Sequence, residues 1–286
     1  MKSGLEVNIH WPNVKKDGLI YVMLGRSERL EDIYISGELD VSKIACNPEA
    51  LQESKRLEEV FNQSEKEEEE NRAQCIKISY LNVQSMKAED GHAKDVERDN
   101  VIMDADMFGL GETWLEKGSE VHFDGYSGHF ANYGRGKGVA GYSKIDLVAQ
   151  PEIVSTETFS VIMFKTKDFH IVFLYLSSNC KKANLFSHLD SWIEKDVPTA
   201  IMGDINVDFL KGEKMKKAST QFGNMMTVRG FRQLIKEPTF TNGNVTSVID
   251  HVYVNSGLES QTISTKVHGV YYSSHDIISL YVAKKK

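Results

Sequence analysis

Eight short apolar runs rich in strand-forming residues recur between residues 76 and 282, and they limit the possible folds more than any other feature. The runs are Ile76–Leu81, Met107–Leu110, Gly138–Tyr142, Ser160–Lys165, His170–Tyr175, Thr199–Met202, Val248–Val254 and Ile277–Val282. Helical patterns cover three stretches, Lys94–Met103, Asn184–Lys195 and Ser219–Thr227. So many strands predict an α+β fold of two packed mixed sheets flanked by helices, rather than an alternating parallel α/β fold.

An acidic run, SEKEEEENR at residues 64–72, marks the clearest boundary in the chain. Four consecutive glutamates repel one another and bury no apolar surface, so residues 61–74 are interpreted as a linker. Before it, Leu19–Leu24 and Ile33–Ile35 have strand character, and a stretch of helical composition follows Asn47 and Pro48. The predicted organisation is a small β/helix appendage at 1–60, the acidic linker at 61–74 and a main domain at 75–286.

Acidic charge is concentrated before the main domain. Residues 1–74 carry 10 Lys and Arg against 16 Asp and Glu, whereas residues 75–286 carry 24 against 25. A nearly neutral main domain permits a local basic face toward nucleic acid without requiring one. Three widely spaced cysteines indicate neither a disulfide framework nor a CxxC metal site, and they point to a reducing compartment.

The sequence shows no signal-peptide pattern and no run of about 18 apolar residues. We therefore expect an intracellular, nuclear protein that is monomeric and has no membrane partner. The Gly-rich segment Tyr133–Val139 lacks the Lys-Ser/Thr ending of a P-loop, which favours a hairpin turn over a phosphate-binding loop.

Polar side chains lie at the ends of six apolar runs, where a rigid sheet can aim catalytic groups. They are Asn82, Glu112, Tyr175, Asp204 with Asn206, Asp250, and the sequence Ser274-His275-Asp276. Taken singly, each also fits an ordinary structural role, such as a turn residue, a cap or a packed edge of the core. As an ordered set they suit metal-assisted cleavage of a phosphodiester.

Each residue type in this set has a chemical use. Mg²⁺, or Mn²⁺ in its place, takes oxygen ligands together with phosphate oxygens, so Glu112 and Asn82 are the predicted metal ligands. Asp204 would accept the proton of an attacking water that Asn206 holds in line. His275 or Tyr175 would stabilise the charge that develops on the phosphoryl oxygens.

The series Asn82, GLGETW, GVAGYS, Tyr175, GDIN, GFRQLIKEPTFTNGNVTSVIDHVYV and SSH resembles the endonuclease/exonuclease/phosphatase superfamily, the fold of exonuclease III and deoxyribonuclease I. The resemblance covers residues 75–286 in unbroken order. Within it, Gly230–Val254 is most similar to the endonuclease domains of non-LTR retrotransposons and related mobile elements.

This resemblance implies a four-layered αββα sandwich and specific roles for the polar residues. It implies that Asn82 and Glu112 bind the metal, that Tyr175 contacts the phosphate, and that Asp204 and Asn206 contact the attacking water. It also implies that Asp250 is a supporting carboxylate and that His275 contacts the scissile phosphate.

One position departs from the family. The family normally ends in Ser-Asp-His, whereas this chain reads Ser273-Ser274-His275-Asp276, so Ser274 replaces a carboxylate that orients the site or a metal. Asp276 faces the same way as Ser274 in an extended backbone and is a candidate replacement. Reduced or lost activity is therefore an alternative to intact catalysis.

Residues 19–37, LIYVMLGRSERLEDIYISG, and the following KIACNPEALQESKRLEE resemble the C-terminal end of superfamily 1 helicases carried by Helitron-like transposons. The resemblance implies that the Arg26 position faces a nucleotide in those helicases. Because the chain has no GxxxxGK[ST] sequence, we expect no ATP partner. A helicase remnant before an endonuclease domain implies derivation from a transposable element.

DNA is the expected partner of the main domain. Arg135 and Lys137 in the Gly-rich loop, and Asn179 and Lys181 before a predicted helix, are candidate phosphate contacts, with ordinary surface polarity as the alternative. The favoured function is a Mg²⁺-dependent DNA endonuclease. A catalytically impaired DNA-binding or interaction module and a phosphatase of small phosphoesters remain alternatives, because a fold does not fix its substrate.

Overall fold

The computed structural model describes residues 5–8, 33–36, 52, 55–56, 74–87, 91–180, 182–210 and 213–284, with side chains described outside 5–8, 33–36 and 213–220. The chain divides into two compact units, Met1–Asn71 and Arg72–Lys286. In the first unit, strand β1 (Leu5–Asn8) pairs in parallel with β2 (Ile33–Ser36), which confirms the strand predicted at Ile33. The predicted strand Leu19–Leu24, Arg26 and the acidic run lie outside the described residues.

The second unit is built mainly from strands. Its described strands are β3 (Cys75–Asn82), β4 (Met107–Gly111), β5 (Ser127–Ala131), β6 (Val139–Ser143), β7 (Glu152–Ser155), β8 (Phe159–Lys165), β9 (His170–Leu176), β10 (Thr199–Asp204), β11 (Phe231–Gln233), β12 (Phe240–Asn242), β13 (Val245–Ser247), β14 (Asp250–Asn255), β15 (Thr262–His268) and β16 (Ile277–Ala283). The described helices are α1 (Ala93–Arg98), α2 (Asn100–Met103), α3 (Lys182–Trp192), α4 (Glu213–Val228) and α5 (Ser256–Glu259).

Twelve of these strands form two mixed sheets of six. The first sheet has the order β15-β16-β3-β4-β6-β5 and the second has the order β11-β14-β10-β9-β8-β7. Each sheet contains one parallel pair, β3 with β4 in the first and β9 with β10 in the second, and its other neighbours are antiparallel. Strands β12 and β13 form a separate hairpin.

The two sheets pack face to face because alternate residues of the central strands are apolar on the inner face. Ile78 and Tyr80 of β3 share one buried cluster with Ile171 and Phe173 of β9. This cluster continues along both sheets and fills the space between them.

Helices cover the outer faces of the sheets. On the first sheet, Phe108 and Tyr142 pack with Val96 of α1 and Ile102 of α2. On the second sheet, Val172 and Ile201 share a cluster with Leu185 and Phe186 of α3 and Phe222 of α4. The order is therefore helix, sheet, sheet, helix, which confirms the expected αββα sandwich.

All eight predicted strands are present in the second unit. Strand β10 continues through Gly203 to Asp204, whereas the sequence predicted an end at Met202, and β14 begins at Asp250 rather than Val248. The predicted hairpin turn at the Gly-rich segment is also confirmed, because β5 and β6 pair antiparallel on either side of it.

The helix predicted at Lys94–Met103 is instead two short helices, α1 and α2. The break falls at Asp99, whose Oδ1 accepts hydrogen bonds from the backbone N–H groups of Val101 (2.8 Å) and Ile102 (3.4 Å). An aspartate that caps a new helix in this way ends the preceding one. Among the described residues, no helix is both long enough and apolar enough to cross a membrane.

Candidate active site

The predicted site residues meet at one rim of the sandwich because of the sheet topology. In each parallel pair the C-terminal ends lie side by side, so Asn82 pairs with Gly111 across β3 and β4, and Asp204 pairs with Tyr175 across β10 and β9. Strand β14 runs antiparallel to β10, which places its first residue, Asp250, opposite Asp204. The rim is thus defined by the hydrogen-bonded register of the two sheets.

The same alternation that builds the core turns these side chains inward. Asn82 lies two residues after the core residue Tyr80, and Asp204 lies two residues after the core residue Met202. Asp250 lies two residues before Val252 of that cluster. These polar side chains therefore lie at the end of the apolar core between the two sheets, which explains why Asn82, Asp204 and Asp250 are at most 1% exposed.

The carboxamide of Asn82 joins the two sheets at the rim. Its Nδ2 donates to Oδ2 of Asp204 at 2.9 Å and to Oε1 of Glu112 at 3.2 Å. Its Oδ1 accepts from the backbone N–H of Gln84 at 3.2 Å. One buried side chain thereby fixes the distance between two carboxylates that belong to different sheets.

Asp204 is the most strongly perturbed carboxyl group of the site. Burial and the neighbouring charge of Asp250 raise its pKa to about 7, while His275, the backbone N–H of Asn206 and the Asn82 carboxamide act in the opposite direction. The Asn206 N–H donates to Oδ1 of Asp204 at 2.8 Å. Asn206 also donates from Nδ2 to the carbonyl of Leu176 at 2.7 Å, so its side chain is anchored to the end of β9.

Asp250 and His275 form a buried pair next to Asp204. Nδ1 of His275 lies 2.8 Å from Oδ2 of Asp250, and the same oxygen accepts from the Thr239 hydroxyl at 2.8 Å. Burial alone would lower the pKa of His275, but Asp250, Asp204 and Glu112 outweigh it and raise the pKa to about 9. The neighbouring acids therefore favour the protonated imidazole, whose Nδ1–H donates to Asp250.

Glu112 and Tyr175 complete the described group. Oε2 of Glu112 accepts from Nε1 of Trp114 at 3.2 Å. The pKa of Tyr175 is raised by burial, by the charges of Glu112 and Asp204 and by a hydrogen bond to Glu112, so its hydroxyl keeps its proton. Tyr175 is thus a neutral donor beside two carboxylates.

Backbone strain is concentrated at this rim. Among the described residues, five that are not glycine have positive φ, namely Gln84, Ser85, Glu112, Trp114 and Asn206. All five lie within three residues of Asn82, Glu112 or Asp204. Such conformations are costly outside glycine and persist mainly at sites where a precise side-chain position is needed.

The donor set at the rim fits a hard divalent cation. Ligand atoms of Asp204 and Asp250 lie within 4.8 Å of each other, and Glu112, which shares the Nδ2 of Asn82 with Asp204, adds a third carboxylate. Oδ1 of Asp250 is buried and has no hydrogen-bond partner among the described residues. Carboxylate oxygens are the ligands that Mg²⁺ and Mn²⁺ prefer.

Two of the predicted DNA contacts lie close to this group. The guanidinium of Arg135 lies 5.8 Å from the Trp114 ring centre, and Nζ of Lys137 lies 4.7 Å from that of Tyr133. The backbone N–H of Trp114 donates to the carbonyl of Lys137 at 2.9 Å, which ties the Gly-rich loop to the segment that carries Glu112.

The other two predicted contacts follow β9. Asn179 is exposed three residues after the end of that strand, and its Oδ1 accepts from the Ser177 hydroxyl at 2.6 Å. Lys181 lies outside the described residues.

The position of Ser274 is fixed by its backbone. Its N–H donates to Oε1 of Gln84 at 3.0 Å, and its carbonyl accepts from the N–H of Thr241 at 2.9 Å. The Asp276 carboxylate instead accepts a hydrogen bond from the backbone of Val270, and the acid and histidine group around Asp204 does not include it. Asp276 nevertheless interacts electrostatically with Asp250 and His275, so its role as the replacement carboxylate stays a prediction.

Sequence reasoning missed three residues that contact the site, namely Gln84, Trp114 and Thr239. Thr239 is fully buried and accepts from the N–H of Asp250 at 3.0 Å while its hydroxyl donates to that residue's carboxylate. Trp114 belongs to the quoted GLGETW motif, so its proximity to Glu112 was the available signal. Thr239 belongs to the segment GFRQLIKEPTFTNGNVTSVIDHVYV, as does its partner Asp250, so that segment was the available signal for it. No sequence pattern pointed to Gln84, because its partner Ser274 is 190 residues away in the chain.

Comparisons with solved structures identify the fold. The chain matches the 3' phosphatase NExo from Neisseria bound to a product DNA hairpin, with 13% identity, a TM-score of 0.58, and coverage of 73% of this chain and 100% of that one. It matches an AP endonuclease from Archaeoglobus fulgidus with 16% identity, a TM-score of 0.57, and coverage of 73% and 100%.

A third match is the endonuclease domain of TRAS1, a telomere-specific non-LTR retrotransposon, with 12% identity, a TM-score of 0.54, and coverage of 73% and 98%. No family model matches the chain, and no curated protein matches its sequence. At these identities the likeness establishes the architecture alone.

Proposed function

We propose that this chain, which has the endonuclease/exonuclease/phosphatase fold, is a divalent-metal-dependent phosphodiester hydrolase that acts on DNA as an endonuclease. The observation that carries the proposal is the bridge made by the buried Asn82 carboxamide between Asp204 and Glu112. Beside that bridge lies the buried pair of Asp250 and His275. A proton acceptor, a metal-binding carboxylate and a cation thus share one rim.

Asp204 is the proposed general base. A pKa of about 7 leaves its carboxylate ready to accept a proton near neutral pH, which is the range in which a base works best. The Asn206 N–H and the Asn82 carboxamide occupy one oxygen each, so the carboxylate cannot rotate away from the rim. Asn206 acts here by orienting the base and, in the proposal, the attacking water.

His275 is the proposed electrostatic stabiliser. It is protonated at neutral pH, and its Nδ1–H is held by Asp250, so the Nε2–H is the donor that remains for a phosphoryl oxygen. Tyr175 supplies a second, neutral donor. Loss of one donor of this kind typically reduces the rate by about 10² to 10³-fold.

Mg²⁺ or Mn²⁺, when bound, would supply a Lewis acid that polarises the phosphoryl group and neutralises its developing charge. Glu112 is the proposed metal ligand, because its carboxylate offers about four lone-pair sites and accepts hydrogen bonds from Asn82, Trp114 and Tyr175, which leaves a site for the metal. Asn82 is the second proposed ligand, but its Nδ2 rather than its Oδ1 faces Glu112, so its carboxamide would have to turn over for the oxygen to reach the same metal. Asp250 supports the site by holding His275.

DNA is the proposed substrate, with Arg135, Lys137, Asn179 and Lys181 as contacts to its phosphates. The choice of DNA agrees with the matched structures that act on DNA, one of them bound to a product DNA hairpin. The proposed origin from a transposable element depends on the sequence resemblance of Gly230–Val254. A helicase remnant at residues 1–60 and a nuclear location belong to the same proposal.

Ser274 is the observation that favours a second candidate, a DNA-binding module with impaired catalysis. An uncharged hydroxyl beside His275 leaves the rim with one carboxylate fewer than the family pattern. The phosphatase alternative shares every residue of the proposed mechanism and differs only in substrate.

A nicking assay on supercoiled plasmid with Mg²⁺ tests the proposal. We expect wild-type protein to nick DNA, and Glu112→Ala and Asp204→Ala to reduce the rate by at least about 10²-fold. The matched controls are Glu157→Ala and Asp124→Ala, which remove the same side chains from exposed positions. Chelation of the metal should stop nicking by the wild-type protein.

The other outcomes identify the alternatives. DNA binding without nicking at any Mg²⁺ or Mn²⁺ concentration would favour the impaired module. Release of phosphate from small phosphoesters, with no action on DNA, would favour the phosphatase. Nicking that survives both site substitutions would refute the assignment of the site.

A further inference from the structure

We propose that Gln84 is a positioning residue that fixes the turn carrying His275, an inference that rests on the proposed function of this site. Oε1 of Gln84 accepts from the backbone N–H of Ser274 at 3.0 Å. Gln84 follows β3 of the first sheet, and Ser274 lies 190 residues later in the chain. The contact therefore ties the strand end that carries Asn82 to the turn that presents the imidazole.

Ser273 strengthens the same connection. Its hydroxyl donates to the carbonyl of Asn82 at 2.7 Å and accepts from the N–H of His275 at 3.1 Å. Oε1 of Gln84 is 3.4 Å from that hydroxyl, which has only one proton and gives it to the nearer carbonyl. The firm bond of the Gln84 side chain is therefore the one to Ser274.

The backbone conformation of Gln84 indicates that contacts with neighbouring residues hold this residue in place. Its φ is +53°, in the left-handed region that glycine adopts most readily. Its N–H donates to Oδ1 of Asn82 at 3.2 Å, so one residue orients the Asn82 carboxamide and holds the His275 turn. A non-glycine residue stays in this conformation only where several contacts require it.

The remaining contacts of His275 show why its backbone must be fixed. The imidazole is held at Nδ1 by Asp250 (2.8 Å) and lies edge-on to the Phe240 ring, with centres 4.8 Å apart. These contacts limit the rotation of the imidazole ring, but the distance between the ring and the rim is determined by the backbone of residues 273–275. A displacement of about 1 Å can cost 10²-fold in rate when the reacting groups must be aligned.

The primary test is NMR of metal-free protein, which does not depend on activity. The proton on Nδ1 of His275, bonded to a buried carboxylate, should give a downfield resonance that is assigned by its loss in His275→Gln. We expect Gln84→Glu, which keeps an acceptor oxygen for Ser274, to retain the resonance. Gln84→Ala should broaden it or shift it upfield, and the exposed control Gln150→Ala should leave it unchanged.

Kinetics with Mg²⁺ and plasmid DNA give the second readout. Gln84→Ala should lower kcat by about 10-fold to 100-fold with KM changed less than about twofold, because alignment rather than substrate contact is lost. Gln84→Glu should restore most of kcat. An unchanged resonance together with an unchanged kcat in Gln84→Ala would overturn the proposal.

Two further outcomes are informative. If Gln84→Ala does not fold, Ser273→Ala tests the same turn by removing the hydroxyl between Asn82 and His275, and an unchanged resonance there would overturn the proposal. If no variant nicks DNA but the resonance responds as expected, the positioning role stands and the proposed function fails.

Discussion

Ser274 is the residue at which this chain departs from the family it resembles, and its backbone is held on both sides by Gln84 and Thr241. Ser274→Asp would add a carboxylate beside His275 without changing the turn. We expect it to lower the Mg²⁺ concentration for half-maximal nicking by roughly tenfold, since an added charge near a divalent ion contributes on the order of 1–2 kcal/mol at a partly exposed position. A Mg²⁺ titration of the nicking rate measures this effect.

Ser274→Asn is the matched control, because asparagine has the shape of aspartate without its charge. Its Mg²⁺ dependence should stay close to that of the wild-type protein. Equal Mg²⁺ dependence in the Asp and Asn variants would show that position 274 does not contribute to the electrostatics of the site.

His275 should make the stability of the metal-free protein depend on pH. Its pKa is about 9 in the folded protein against an ordinary value of 6.5, so the folded state binds its proton more tightly than the unfolded chain. The stabilisation is fully present below about pH 6.5 and is lost as the pH rises through about 9. Urea unfolding of wild-type protein and His275→Gln should show a stability gap that is widest near pH 6 and narrows toward about pH 10.

His122→Gln provides the control for this pH series. The side chain of His122 is 74% exposed and pairs with Glu120 at 3.4 Å on the surface, where such pairs contribute little, so its removal should leave the free energy of unfolding nearly unchanged. A gap between wild-type protein and His275→Gln that stays constant from acid to alkaline pH would contradict a buried imidazolium paired with Asp250.

The site residues were predictable from the sequence as far as they lie at the ends of apolar runs. Asn82 and Asp204 have that signal, because the strand before each one is continuous and buried. The contact between Asn82 and Asp204 has no such signal in the sequence, because the two residues are 122 positions apart and meet only through the packing of the two sheets. Gln84 is a polar residue in an irregular segment, where a single sequence gives no information about a partner 190 residues away.

Within the two six-stranded sheets, the strands predicted from sequence are the eight interior ones, and the strands missed are the edge strands β5, β7, β11 and β15. An interior strand pairs with a neighbour on each side and is covered on both faces, so its sequence is a nearly continuous apolar run. An edge strand has one neighbour and keeps polar residues toward solvent, as in TISTKVH of β15, where every residue is at least partly exposed. The hydrophobic pattern therefore reports the position of a strand in its sheet as well as its existence.

Strand β10 depends on the glycine that precedes Asp204. Gly203 has a φ of +154°, and a Cβ there would lie 1.9 Å from the carbonyl oxygen of Leu174 on the neighbouring strand β9. Gly203→Ala must therefore push β10 away from β9. We expect a loss of about 3 kcal/mol in the free energy of unfolding, measured in urea, together with a reduced nicking rate because Asp204 moves.

Gly230→Ala separates backbone strain from the steric clash. Gly230 also has a positive φ, +79°, but a Cβ there would meet no atom within 4 Å. Its substitution should cost about 1–2 kcal/mol and leave the nicking rate unchanged. Equal losses of stability in the two variants would mean that the approach of Leu174 is unimportant.

At the scale of the whole molecule, the hydrophobic clusters found among the described residues and the rim all belong to the unit Arg72–Lys286. We therefore expect a fragment of residues 72–286 to unfold in one cooperative transition and to keep kcat within about twofold of the full chain. Thermal unfolding and the nicking assay check the two parts of this prediction. A fragment that fails to fold would show that the first unit is required for the second.

The fragment should also bind DNA more tightly than the full chain at low salt. Residues 1–71 carry 9 Lys and Arg against 16 Asp and Glu, so the fragment carries 25 of each and loses the whole net charge of -7. The gain in affinity should fade as salt screens the repulsion between the acidic segment and DNA phosphates, over a range of about 0.05 to 0.5 M. A full-length variant with Glu67, Glu68, Glu69 and Glu70 each changed to Gln should recover part of the gain. An affinity gain in the fragment that persists at high salt, with none in this variant, would show that the first unit affects DNA binding by a route other than charge.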